Sequence, residues 1–204
     1  MDEQNKLKVP RSIKTKETKD KIYKAAEKIL SEHGYEYLSV KNICQEAGIA
    51  NGTFCYHFKT KDDLLSYYMF ERFNRYLEEM GIDFAALPFD ERLIKRYIVY
   101  TDYVKSSGLD FVSNFYTPQN AALNTRLSRT TLSVMLVDQC VEILQEGIDK
   151  GFLSTDGNAL MYTNDTCTIL KGIIFDWAIS GGMIDTTGLI KRLVGAYLES
   201  IKIK

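Results

Sequence analysis

The sequence predicts an all-α protein of about nine helices, and three observations carry that expectation. Apolar residues recur at helical spacing along most of the chain. The periodic segments are separated by glycine, serine and proline clusters such as Ser106-Ser107-Gly108, Thr117-Pro118 and Gly181-Gly182. Only a few stretches, such as Tyr97 to Tyr100, could pass for strand. With 204 residues, 45% of them hydrophobic, the chain can bury a core without disulfide or metal staples.

Taken in order, positions 1–15 carry Lys6, Lys8, Arg11 and Lys14 around one proline, and they read as a mobile basic arm. The first firm helix spans Lys16 to His33, where Ile22, Ala25, Ala26, Ile29 and Leu30 form one apolar stripe and Gly34 marks the stop. Ser39 stands as the N-cap of a short second helix, Val40 to Ala47, which ends at Gly48. A third short helix covers Asn51 to Phe58. Thr60 can cap a longer fourth one, Lys61 to Met80. Beyond Pro88 the periodicity places helices near 88–106, 108–116, 119–150, 158–180 and 186–203. Pro118 is the strongest break, because proline cannot continue a preceding helix.

The segment that carries chemistry is Val40 to Phe58, V-K-N-I-C-Q-E-A-G-I-A-N-G-T-F-C-Y-H-F, which has the layout of a helix-turn-helix. Two short helices that cross closely need a small residue at the crossing, and Cys44 supplies it. Their tight turn needs a left-handed residue, which Gly48 becomes at no steric cost. Ile43, Ile49 and Phe54 are placed to fill the wedge. Phe58 belongs to the core. The start of the second helix presents Asn51, Gly52, Thr53, Cys55, Tyr56 and His57, where a recognition helix meets base edges and phosphates. Charge agrees in sign: residues 1–61 hold 12 basic and 8 acidic side chains, a balance of +4, against −5 for the remainder. A basic start on an acidic body fits a polyanionic partner at one end.

The stretch Tyr35 to Leu65 resembles the N-terminal signature of the TetR/AcrR family of transcriptional regulators. The matching features are the aromatic after Gly34, Ser39, Ala47-Gly48, Gly52-Thr53, Tyr56-His57-Phe58, and Lys61 followed by Leu64-Leu65. With the first helix the likeness covers about residues 16–66, and the motif is long enough to be specific. Two departures stand out: Cys44 sits where alanine is usual, and Phe54-Cys55 where a leucine-like residue and a tyrosine are common. The resemblance implies that Thr53, Tyr56 and His57 touch the DNA backbone and that Asn51, Gly52 and Cys55 lie nearest the major-groove floor. It further implies phosphate contacts from Lys61, Ser39 and Lys41. The implied organisation is a DNA-binding domain over 16–61 and a helical effector-binding and dimerisation domain over 62–204. The homodimer would form through the helices near 158–180 and 186–203 and read near-palindromic double-stranded operator DNA. Repression relieved by a small-molecule effector is the implied mode, with the fourth helix as mechanical link.

For the effector, aromatic Tyr100, Tyr103, Phe115 and Trp177 could line an apolar cavity, with Gln139 and Asn164 as orienting polar groups. The competing reading of each is ordinary core packing. An enzyme is the rival class. Two histidines and the lack of a G-x-S-x-G elbow, P-loop, G-x-G-x-x-G or H-E-x-x-H argue against it, and no cofactor is expected. A third reading is a helical interaction or ligand-binding module that no longer binds specific DNA, which the intact 51–61 stretch opposes. Four cysteines without metal-ligand spacing read as reduced thiols, so no metal is expected. No run of 18 apolar residues and no secretory signal occur, which predicts a cytoplasmic protein with no membrane partner.

Overall fold

The computed structural model describes residues 11–117, 119, 120, 123 and 131–203. Among the described residues the chain is all-α. Its nine α-helices are α1 (Arg11–His33), α2 (Val40–Ala47), α3 (Asn51–His57), α4 (Lys61–Met80), α5 (Phe89–Ser106), α6 (Leu109–Phe115), α7 (Thr131–Asp149), α8 (Ala159–Ile179) and α9 (Thr186–Ile201). Two 3-10 turns, Tyr35–Tyr37 and Phe84–Ala86, lie between them. One antiparallel bridge, Leu153 to Lys202, is the extended pairing among the described residues. The chain divides into two compact units between Leu64 and Leu65. We call them the head and the body.

The head is built by its caps. Ser39 Oγ accepts from the Asn42 amide at 3.2 Å and starts α2. At the other end Gly48 turns left-handed, with φ 64° and ψ 40°. Its amide donates to Gln45 O at 3.3 Å and the Ile49 amide to Cys44 O at 3.0 Å, the paired bonds of a Schellman stop. Thr60 and Asp63 then exchange side-chain-to-amide bonds, both 3.1 Å, and open α4 with a capping box. Ile22, Ala26 and Ile29 of α1, with Leu38, Ile43 and Cys44 and with Phe54 of α3, are all 4% exposed or less, and α2 packs against both α1 and α3. Leu30 and Ile49, the remaining apolar positions of the expected stripe and wedge, are half-buried. Gly48→Ala meets no steric obstacle, so its cost is the left-handed backbone alone, about 1–2 kcal/mol. Amide exchange of Ile43 and Phe54 should accelerate about tenfold in that variant.

In the body, α5 packs against α7 and α9, and α8 against α6, α7 and α9. Leu93, Tyr97 and Val104 of α5 meet Val112, Leu144, Ile174, Ile190 and Val194 in a core where each is 1% exposed or less. The Tyr97 hydroxyl is buried but satisfied, 2.8 Å from Thr166 Oγ1 and 3.7 Å from Cys167 Sγ. α8 and α9 start on side-chain caps: Asn158 accepts from the Met161 amide and Asp185 from the Gly188 amide.

Two sequence-based boundaries move. α1 begins at Arg11, so residues 11–15 extend the first helix instead of belonging to the arm. No glycine or proline interrupts Arg11 to His33, and adding turns to a formed helix is cheap compared with nucleating one. The rest of the expected arm, with Lys6 and Lys8, lies outside the described residues. The helix expected over 119–150 is α7, Thr131–Asp149; Gln119 and Asn120 are not helical. Asn120 instead donates its side-chain amide to Phe115 O at 2.9 Å, satisfying a terminal carbonyl of α6. Pro118 and the intervening positions 121, 122 and 124–130 lie outside the described residues.

Candidate nucleic-acid interface

The short α3 is two-faced. Phe54 is fully buried, and Phe58, just past the helix end, is 5% exposed; their rings lie 5.9 Å apart. Anchored by that pair, α3 turns Asn51, Gly52, Cys55 and Tyr56 outward, all exposed, with Thr53 and His57 half-buried at its flanks. Tyr56 is 69% exposed, an unusual position for a large aromatic on a helix of seven residues. Its ring meets His57 edge-on at 5.1 Å. Ala50 gives α3 no side-chain cap hydrogen bond.

Several cations stand in the same unit as this face. Lys41 is exposed on α2, and Ser39 is half-buried at its cap. The Lys61 ammonium lies 4.5 Å from the Tyr35 ring centroid at the start of α4, and Lys19 lies 5.6 Å from the Phe58 ring centroid. Partial burial, and then the charge of Lys19, lower the His57 pKa from its ordinary value. Burial raises the Cys44 thiol. Exposed Cys55 and buried Cys44, Cys140 and Cys167 are all free thiols. Gly52 has open space where a Cβ would stand. A glycine in a helix costs roughly 0.5–1 kcal/mol against alanine, and nothing inside the head requires it.

The effector residues expected from sequence are distributed more widely. Tyr100, Tyr103, Phe115 and Trp177 are all buried in the body. Tyr100 and Tyr103 come together, rings 6.5 Å apart, against Phe73 of α4 at 5.3 and 5.2 Å. The Tyr100 hydroxyl meets that of Tyr116 at 2.7 Å, beside Phe115. Gln139 accepts from Arg96 Nη1, a residue the sequence reading left out. Asn164 and Trp177 both stand on α8, roughly 20 Å apart along its axis, so that pair does not converge. The Asn164 Oδ1 is buried without a hydrogen-bond partner. An open cleft of about 680 Å³ lies elsewhere, between Ala85–Pro88, Phe152 and Ile203. Its charges pair with one another: Glu146 with Arg92 and Lys150, each at 2.7 Å, and Asp90 with Lys202 at 3.1 Å. None of the six expected effector residues lines it. Among the described residues no cluster of three histidine, cysteine or acidic side chains could hold a metal, and no helix is long and apolar enough to cross a membrane.

Fold and surface together define an all-helical protein with a helix-turn-helix head on a helical body. Residues 22–68 match the family described as bacterial regulatory proteins, tetR family. The likeness to that family lies in the N-terminal unit, over about a quarter of the chain. The fatty acid metabolism regulator protein of Bacillus subtilis is 36% identical over 62 residues, 30% of this chain and 32% of the relative. An HTH-type transcriptional regulator of Staphylococcus aureus is 42% identical over 57 residues, 28% and 30% of the two chains. The match therefore spans about a third of these relatives' length. Among solved structures, Thermus thermophilus FadR in complex with lauroyl-CoA aligns with TM-score 0.69 at 16% identity, over 91% of this chain and 96% of that one. RolR in complex with resorcinol aligns with TM-score 0.66 at 20% identity, over 95% and 92%. Bacillus subtilis FadR in complex with stearoyl-CoA gives 0.58 at 20%, over 89% and 98%. These likenesses establish the fold over nearly the whole chain.

Proposed function

We propose that the chain is a homodimeric, ligand-responsive transcriptional regulator that represses by binding operator DNA and lets go when a small effector binds its body. The observation that carries this reading is the division of α3, with Phe54 sealed inside and Asn51, Gly52, Cys55 and Tyr56 offered outward. In the proposed complex α3 lies in the major groove. Gly52 lets the backbone approach closely, while Thr53, Tyr56, His57, Ser39, Lys41 and Lys61 hold phosphates. The proposed DNA-binding domain is residues 16–61, and the effector and dimer domain is 62–204, with α4 running on covalently from one into the other.

The dimer face is proposed on α8 and α9. α8 is apolar on its buried stripe and again on the outward one, where Met161, Phe175 and Ile179 are exposed; Leu193 is exposed on α9. A helix apolar on both sides wants cover on both sides. A two-fold dimer would set two recognition helices about 34–36 Å apart, one turn of DNA, on a near-palindromic site. Relatives of this fold hold ligands as unlike as an acyl-CoA and resorcinol, so the fold by itself names no effector.

Selection of bound duplexes from a randomised DNA pool tests the reading. Recovery of a two-half-site consensus with half-sites about ten base pairs apart is the expected result; recovery of unenriched sequence would count against it. Tyr56→Ala should weaken binding to the selected site about tenfold, the scale of one lost hydrogen bond to a charged phosphate. Its thermal stability should not move, since the side chain is exposed in the head.

A further inference from the structure

Arg96 of α5 is 9% exposed, yet among the described residues it makes no direct ion pair. Its Nη1 donates to the neutral side-chain oxygen of Gln139 on α7, and its guanidinium lies 4.5 Å from the centroid of the Phe84 ring. Its Nε is buried without any partner. Among the described residues no carboxylate comes within ion-pair distance of it, whereas Arg92, one turn earlier, is paired by Glu146 at 2.7 Å. Burial pushes the Arg96 guanidinium below its ordinary pKa, but an arginine keeps its proton at neutral pH. Its direct contacts are neutral, and the Glu142 carboxylate acts on it only from beyond ion-pair distance; a buried cation without a direct counter-ion is costly. Phe84, Gln139 and the α5 backbone nevertheless fix it in one place.

Its surroundings give the site a direction. Arg96, Tyr100 and Tyr103 recur at i, i+4 and i+7 and so share one face of α5. That face carries a cation at one end and continues as buried aromatic rings, with Phe73 against both tyrosines. We infer that Arg96, positioned by Gln139 and Phe84, receives the anionic group of the effector, a carboxylate or a phosphate at the end of an otherwise apolar molecule. The inference rests on the proposed role of the body as effector domain, and it adds the charge and polarity of the ligand. The effector supplies the direct counter-ion that Arg96 lacks, so its binding strength depends on a residue that makes the empty body less stable.

The test uses the full chain and three probes: dodecanoate, dodecanoyl-CoA and the neutral dodecanol. Binding is followed through fluorescence of Trp177, the single tryptophan, and through the melting temperature. At least one anionic probe should bind and raise the Tm, with dodecanol weaker; the arm that binds distinguishes a carboxylate from a CoA phosphate. Arg96→Met should lower anion affinity on the order of 10- to 100-fold. It should also raise the Tm of the ligand-free protein by about 2–4 °C, because the unpaired buried charge is gone. Arg96→Lys, which keeps the charge, should retain part of the affinity. Equal anion binding by wild type and Arg96→Met would overturn the assignment of Arg96 and leave the effector reading standing. So would binding of dodecanol alone. A ligand-free Arg96→Met that melts lower than wild type would show Arg96 to be structural, overturning the inference. Failure of the wild type to bind either anionic probe would overturn it as well.

Discussion

Phe54→Ala is expected to abolish sequence-specific DNA binding without touching the surface that DNA would meet. Phe54 is fully buried and is the anchor by which α3 is held against the rest of the head. Truncating a buried phenylalanine costs about 3–5 kcal/mol. A unit of this size commands little more stability than that, so a large fraction of heads would be unfolded at any moment. The body, compact on its own side of Leu64, should keep its Trp177 melting transition. Phe54→Leu is the control: the smaller loss of volume costs less, and the family resemblance already places a leucine-like residue there. Anisotropy against the selected site and amide exchange of α2 and α3 would measure both. Wild-type affinity in Phe54→Ala would mean that DNA is bound by something other than α3.

The second large effect is expected on the body. Ile179 is 67% exposed and Phe175 49% exposed in the single chain, one turn apart on the outward face of α8. Aspartate at either position should change the stability of an isolated protomer by no more than about 0.5 kcal/mol. In a dimer formed through this face, the same carboxylates would be buried against apolar neighbours, at several kcal/mol each. Ile179→Asp combined with Phe175→Asp should therefore raise the dimer Kd by at least about 10³-fold, the equivalent of some 4 kcal/mol. Sedimentation at micromolar concentration should give a dimer for the wild type and a folded monomer for the variant. Operator affinity should fall with it, because one head reads only half a site. A variant that stays dimeric would move the interface elsewhere.

The head was legible in the sequence because its signals are local. Ser39, Gly48 and Thr60 do their work within a few residues of themselves, and the structure places their caps and stop where the spacing puts them. Helix ends in the body were legible for the same reason wherever glycine or an N-cap marks them. The start of α1 was not, since a run of polar helix formers looks the same in a solvated arm and in a helix that continues from a packed stripe. Asn120 was misread because its side chain finds a carbonyl of the preceding helix, a partner that periodicity does not reveal. The body site was only half legible. Aromatic residues announce burial but not convergence, so Tyr100 and Tyr103 meet while Asn164 and Trp177 stand far apart on α8. The signal that would have found Arg96 was present: a cation on the same helical face as Tyr100 and Tyr103, where an apolar residue is the ordinary occupant. Its lack of a direct ion pair depends on elements distant in sequence and needed the structure.

The measurement that bears most directly on the central claim is fluorescence anisotropy of the purified protein with duplex DNA from upstream of its own gene, beside scrambled DNA, at two salt concentrations. A preference on the order of 10³-fold or more for the native sequence, kept at the higher salt, is the predicted result. Absence of binding to either duplex at both salt concentrations would contradict α3 as a DNA-reading helix.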